Sequence, residues 1–402
     1  MKSSEDRRNW RKAEAVVAGH ICLDIIPEVR SRDIVFSEGG LLEIGRAVVA
    51  TGGAVSNTGL ALHRLGIKTV LIGKVGTDLF GQAVREIISR YDPLLNEGMI
   101  ESPEAVTSYS VILNPPGRDR MLLHCPGCND TFSSGEIPYE RLHQVRLLHF
   151  GYPPLMRRLI EDDGAELEDV FRRAKQTGVT TSLDMCMPDE ASFAGQVNWP
   201  VILSRVLRHV DIFMPSFEET LMTLYREKLP DLSSRQDGLL SIAEPELVRT
   251  ICRELLDRGP SVVGLKLGDR GFYLRTAAAG RWRDMGRGRP ENAEEWISRE
   301  LWSPCFRTQV VGTTGAGDTS IAGFLASLLR GGSPEECLVF ACAVGACNAE
   351  AADALSGIRD WQSTRERISA GWERLPLPFV MNGWRWLESE GVWSGPDDRV
   401  TV

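Results

Sequence analysis

Apolar residues along this chain fall into two rhythms. Short runs of valine, isoleucine and leucine alternate with longer stretches in which apolar positions recur at helical spacing. That alternation is the signature of βαβ units around a parallel sheet. The run AVVAGHICLDIIP (15–27) predicts a buried opening strand. A glycine pair then precedes a helical pattern over residues 54–65 that stops at Gly66. The strand KTVLIG (68–73) leads through GKVGTDLFG into a helix over about 79–90. Further strands are expected at 146–151, 180–185, 211–215 and 261–268, each separated from the next by a helical stretch.

Two regions break the rhythm. Residues 31–50 and 105–124 alternate with a period near two, and the second contains the turn Pro115-Pro116-Gly117. They predict hairpins forming a small accessory sheet. Residues 275–309 carry Trp282, Trp296 and Trp302 among many charges and read as an insertion. The Trp-rich tail after about 361 is irregular and reads as an extension without a functional signal. No internal repeat interrupts the single series of βα units, so the 402 residues read as one domain.

Composition narrows the function. The formal net charge is −9 with both signs interspersed, which argues against nucleic-acid binding. No run of about 20 apolar residues exists, and the charged start lacks the apolar core of a signal peptide. Nine scattered cysteines fit reduced thiols in a cytoplasm. The Cys125-x-x-Cys128 pair has no second pair at zinc spacing and reads as a loop.

The chemistry concentrates at VVGTTGAGDTSIAGF (310–324). The β-branched TQVVG (308–312) predicts a strand running into a glycine loop, and Ile321, Phe324, Leu325 and Leu328 then fall at helical spacing. Gly315, Ala316 and Gly317 therefore sit at a helix N-terminus. Small residues there let backbone N–H groups approach an anion, and the helix dipole favours negative charge. The spacing resembles a phosphate-binding P-loop, but Asp318 stands where its lysine would be. A carboxylate there suits the incoming nucleophile: it can take the proton of a hydroxyl attacking phosphorus. A plain helix cap is the alternative reading of that aspartate.

At this point the chain resembles the ribokinase-like (PfkB) carbohydrate kinases, over roughly residues 15–360. Residues 312–318 match that family's D-T-x-G-A-G-D signature except at the first position, where Gly312 replaces an aspartate. The resemblance implies an α/β fold: a central, mostly parallel sheet flanked by helices, with a small β-sheet lid. It implies Asp318 as catalytic base, with Gly315, Ala316 and Gly317 as the anion hole. Gly52, Gly53 and Asn57 match the family's sugar-binding segment. Asp24, expected at the carboxyl end of the opening strand, matches its sugar-binding aspartate; ligands of open α/β sheets bind at that end. Gly76-Thr77-Asp78 reads as a structural turn.

MPSFEET (214–220) resembles the family's N-x-x-E motif, giving Glu219 toward magnesium, with Ser216 in the asparagine's place and Glu218 as a surface charge. In LKLGDRGFYL (265–274), Gly268 and Gly271 match glycines that let the chain pass close to ATP, and Lys266 is either a phosphate ligand or a solvated lysine. Asn348 lies where the family lines the adenine pocket. The hairpins match a lid that closes over sugar and mediates dimerisation. Arg118 and Arg120 flank its turn and read as exposed charges. Gly312 argues against potassium activation, and Ala54, where ribokinase proper has lysine, argues against ribose. The expectation is an ATP- and Mg2+-dependent kinase acting on a primary hydroxyl of a small sugar or sugar acid. Two alternatives stand: a nucleoside kinase, for which the lid offers only Tyr109 and Phe36 as an aromatic wall, and a non-catalytic sensor.

Overall fold

The computed structural model describes residues 10–32, 34, 38–116, 120–226 and 238–399. Phe36, Gly117 and Arg118 lie outside them. Its strands, in chain order, are β1 (Ala15–Gly19), β2 (Cys22–Pro27), β3 (Ala47–Gly52), β4 (Thr69–Ile72), β5 (Lys74–Gly76), β6 (Ile100–Ser102), β7 (Tyr109–Leu113) and β8 (Met121–Cys125). They continue as β9 (Leu147–Gly151), β10 (Thr180–Asp184), β11 (Ile212–Phe213), β12 (Val262–Lys266), β13 (Phe272–Thr276), β14 (Glu300–Ser303), β15 (Arg385–Leu387) and β16 (Val392–Ser394).

The largest sheet runs β15-β16-β14-β13-β12-β11-β10-β9-β1-β4. Neighbours from β4 to β12 pair in parallel. The β13, β14, β16 and β15 edge is antiparallel. Side chains on successive strand residues point to opposite faces, so Val17 and Leu71 enter one core and Val16 and Val70 the other. Helices Ala54–Arg64, Ala316–Leu329 and Pro334–Ala349 cover the first face. Helices Ala165–Gln176, Trp199–Val206 and Pro245–Asp257 cover the second. The two helices after the glycine loop are buried almost all round, which is why their sequences are apolar on every side.

A second sheet, β3-β2-β7-β8, forms the small accessory layer. The hairpin expected at 105–124 is β7 and β8. Of the expected 31–50 hairpin, the described residues form only β3, which begins at Ala47; residues 33 and 35–37 lie outside the described residues. The opening run is not one strand. At Gly19 the backbone takes φ +124, and a Cβ there would meet the Gly151 carbonyl oxygen at 2.3 Å. The chain leaves the main sheet at that point and re-forms as β2 in the accessory sheet, so Asp24 sits in the accessory sheet and not at the end of β1.

Two other sequence expectations change. Residues 308–312 form no strand: Val310 and Val311 are exposed, and the amides of Val311 and Gly312 reach the Ala349 carbonyl instead. β-branched residues favour a pleated, half-buried surface, and this loop has no strand to pair with. Residues 275–309 contribute β14 to the main sheet, and Trp282, Trp296 and Trp302 are core residues. The tail adds helix Trp361–Ser369 and the edge strands β15 and β16. It is locked by Glu300, wholly buried, whose carboxylate accepts from Arg249 (2.8 Å), Arg275 (2.8 Å), the Tyr273 hydroxyl (2.8 Å) and the Asp397 amide (2.8 Å).

Candidate active site

The glycine loop turns on Gly315, whose φ of +72 is a left-handed conformation that a side chain would strain. A Cβ there would also lie 2.6 Å from that of Ala354. The helix begins at Ala316, leaving its first amides unpaired by helical carbonyls. Asn348 holds the loop in place by donating to the Thr314 carbonyl at 2.8 Å. That is a supporting contact from the second helix, and the Asn348 amide oxygen is buried with no partner among the described residues.

Asp318 follows within the first turn, 2% exposed. Its Oδ2 accepts two hydrogen bonds, from Asn57 Nδ2 at 2.9 Å and from the Tyr152 hydroxyl at 2.7 Å. Its Oδ1 has no partner among the described residues. Burial raises its pKa, opposed by Lys266 and by these two donors. A buried carboxylate oxygen without a donor is costly, and it leaves an acceptor position open to a hydroxyl.

Lys266, at the end of β12, is no solvated lysine. Its Nζ lies 2.7 Å from Asp184 Oδ1 and 4.0 Å from Glu219 Oε2. Burial would lower its pKa, but the Asp184 carboxylate beside it wins and holds it raised. Gly317 faces the lysine: a Cβ there would stand 3.6 Å from Nζ. Ser216 and Glu219 form a capping box at the start of helix Phe217–Leu224, with Glu219 N to Ser216 Oγ at 3.1 Å and Ser216 N to Glu219 Oε2 at 2.6 Å. Glu218 is only part-exposed beside them. Asp184, Glu219 and Asp318 are all pushed upward by burial, and each also feels the others' negative charge or the single ammonium between them.

The acceptor side is built on the accessory sheet and the helix it packs against. Gly52 pairs across from Cys22, and a Cβ on it would fall 2.1 Å from Asp24 Oδ2. Gly53, at φ +85, caps helix Ala54–Arg64, and a Cβ there would strike His20 Nδ1 at 2.5 Å. Asp24 is buried, and desolvation pushes its pKa up to about 6 despite the Cys22 thiol at 3.3 Å and the nearby charge of Arg120. Arg120 is not an idle turn charge. It donates to Thr314 of the glycine loop at 2.6 Å, so the accessory sheet rests directly on that loop.

Gly268 and Gly271 are shaped by the fold around them. Gly268 has φ +55 and Gly271 φ +89, and a Cβ at Gly271 would stand 2.0 Å from the Ser303 carbonyl oxygen. Gly271 is therefore required by the approach of β14. Asp78 confirms a structural turn, capping helix Leu79–Ser89 and accepting from the Thr107 amide at 2.7 Å.

Four residues that sequence reasoning passed over join this group. Tyr152 follows β9 and Asp184 ends β10, both at the carboxyl edge of the parallel sheet where α/β proteins bind ligands. That rule, applied to every strand, would have found both. His20 and His124 have ring centroids 5.2 Å apart, and His20 and Tyr152 are 6.1 Å apart. Both His20 nitrogens and Nε2 of His124 are buried with no partner among the described residues, and burial lowers both pKa values.

The arrangement fits a nucleotide and a magnesium ion on its own terms. The first amides of the helix that begins at Ala316, and the Lys266 ammonium beside Gly317, are the groups available to phosphate oxygens. Asp184 and Glu219 beside the Lys266 ammonium, and Asp318 nearby, supply oxygen donors of the kind a magnesium ion takes. No three candidate ligands converge into a ready-made metal cage among the described residues.

Residues 12–361 match the pfkB family carbohydrate kinase family. A sugar kinase of Archaeoglobus fulgidus is 26% identical over 69% of this chain and 90% of its own. A fructokinase of Vibrio alginolyticus is 28% identical over 78% of this chain and 83% of its own. The solved structure of Arabidopsis thaliana ribokinase complexed with ribose and ATP superposes with a TM-score of 0.66 at 19% identity, covering 88% of this chain and 98% of that one.

Proposed function

The chain belongs to the pfkB family of carbohydrate kinases, and on that premise we propose that it transfers the γ-phosphoryl group of ATP to a primary hydroxyl of a small sugar or sugar acid. One observation carries the reading: Asp318, buried at the start of the glycine-loop helix, keeps one carboxylate oxygen free while the other is tied down.

In this reading Asp24 and Asn57 hold the acceptor's hydroxyls, and Gly52 and Gly53 make room for the Asp24 carboxylate and the His20 ring beside them. Asp318 takes the proton of the attacking hydroxyl. The amides of Gly315, Ala316 and Gly317 meet the charge on the phosphoryl oxygens, and Lys266 adds a cation beside them. Ser216 and Glu219 stand on the metal side, where bound Mg2+ would supply neutralisation of the phosphate charge. Gly268, Gly271 and Asn348 shape the nucleotide side. Gly312 in place of the signature's aspartate speaks against a monovalent-cation site. Arg120, bonded to the glycine loop, supports the accessory sheet as a lid that excludes water during transfer.

The chain is further proposed to be a cytoplasmic homodimer joined through that lid. Nine free thiols support the compartment, and no helix is long and apolar enough to cross a membrane among the described residues. Exposed Val48, Val49, Met121, Leu122 and Leu123 on the lid's two edge strands support the interface. A nucleoside acceptor gains some footing from the His20, His124 and Tyr152 rings, which provide an aromatic surface beyond Tyr109. The deciding experiment is a coupled ADP-release screen across hexoses, pentoses, keto-sugar acids and nucleosides. Turnover with a sugar or sugar acid at least tenfold above any nucleoside supports the proposal. Preference for a nucleoside overturns the acceptor class. A thermal shift without turnover for any compound would instead favour a sensor.

A further inference from the structure

Tyr152 breaks a local rule. It is a non-glycine residue with φ +65 and ψ +44, the left-handed region, immediately after β9. That conformation costs about 1–2 kcal/mol for a residue with a side chain. A glycine would relieve it, and the sequence already offers one at Gly151. Strained residues of this kind persist where their side chain has work that the surroundings enforce.

The side chain's destination is plain. Its hydroxyl donates to Asp318 Oδ2 at 2.7 Å, the same oxygen that Asn57 occupies from the other side at 2.9 Å. Both donors come from the main domain, one from the end of a sheet strand and one from the helix Ala54–Arg64. The carboxylate is thereby fixed in rotation, and Oδ1 is the oxygen left over.

We infer that Tyr152 is a positioning residue for phosphoryl transfer: with Asn57 it pins Oδ2 of Asp318, and so assigns Oδ1 as the atom that receives the acceptor's proton. The inference rests on the reading of Asp318 as the base. The step then balances as follows. The acceptor O–H bond breaks with its proton passing to Oδ1. The acceptor oxygen forms the new bond to the γ-phosphorus, and the bond from that phosphorus to the β,γ-bridging oxygen breaks, leaving ADP. Tyr152 keeps its own proton throughout; burial and the neighbouring Asp318 and Asp184 charges hold its pKa far above the ordinary phenol value.

The test uses the full chain with ATP and the best acceptor from the screen above. Tyr152→Phe removes the hydroxyl and keeps the ring. It should lower kcat on the order of 10²-fold through loss of alignment, with KM for ATP within twofold of the parent. In the double variant with Asp318→Asn, Tyr152→Phe should cost nothing further. A kcat within twofold of the parent for Tyr152→Phe, while Asp318→Asn falls by about 10²-fold or more, would overturn the positioning role and leave the base intact. Turnover by Asp318→Asn within threefold of the parent would instead remove the base reading itself. Should Tyr152→Phe fail to fold, 3-fluorotyrosine at position 152 supplies the answer without turnover. Its fluorine resonance must move when Asp318→Asn is introduced, and an unmoved resonance refutes the contact.

Discussion

Replacing Asp24 by asparagine should make the protein more stable and less able to bind its acceptor. Asp24 is 6% exposed, and burial raises its pKa from 3.8 to about 6. The folded state therefore prefers the neutral acid. For such a group the stabilising contribution is complete below the unfolded pKa and is lost as pH rises through the folded one. At pH 8 the ionised carboxylate costs the fold about 2 pKa units, or about 3 kcal/mol, and at pH 5 about half of that. Asparagine has nearly the neutral acid's shape and no charge to bury, so Asp24→Asn should recover that cost. Urea melts of parent and variant at pH 5 and pH 8 provide the assay. The gain should be about 3 kcal/mol at pH 8 and about 1.5 kcal/mol at pH 5. In turnover assays the acceptor KM should rise on the order of 10²-fold, as for a lost pair of charge-assisted bonds, with KM for ATP little changed. A destabilised variant, or a gain equal at both pH values, would refute the reasoning that Asp24 is held against its own desolvation for the sake of a ligand.

Other expectations follow from the same geometry. Glu300→Ala removes the buried carboxylate that Arg249 and Arg275 share, leaving them Asp397 and, for Arg249, Glu246, and should cost about 3 kcal/mol in urea unfolding; a loss under 1 kcal/mol would show that the tail is not anchored there. Gly271→Ala must strain a backbone at φ +89 and push a methyl group against the Ser303 carbonyl. It should destabilise by about 3 kcal/mol or more, and a Tm equal to the parent's would contradict the close approach of β14.

The sequence carried the layered α/β plan because parallel strands buried on both faces read as continuous apolar runs, and most of them stand where periodicity puts them. It carried the helix start at the glycine loop, with Asp318 in its first turn, because Ile321, Phe324, Leu325 and Leu328 fall at helical spacing after the glycines. What it hid was set by tertiary contacts. The break at Gly19 depends on the nearness of Gly151, about 130 residues away in sequence, so the opening run reads as one strand. The apolar Val310 and Val311 suggest a strand only until the lack of a neighbouring edge is known. Lys266 looks like an ordinary strand lysine until Asp184 arrives beside it from another strand. Tyr152 is hidden for the same reason, since its strained backbone has meaning only with the Asp318 carboxylate at its hydroxyl.

The central claim is that Asp318 deprotonates the acceptor at a phosphoryl-transfer site. Its most direct test is single-turnover transfer of labelled γ-phosphate from ATP to the acceptor identified by screening, with the parent and with Asp318→Asn. The account predicts that Asp318→Asn still binds ATP with nearly the parent's affinity while the transfer rate falls by about 10²–10⁴-fold, the usual contribution of a general base. Transfer by Asp318→Asn within threefold of the parent rate would contradict it.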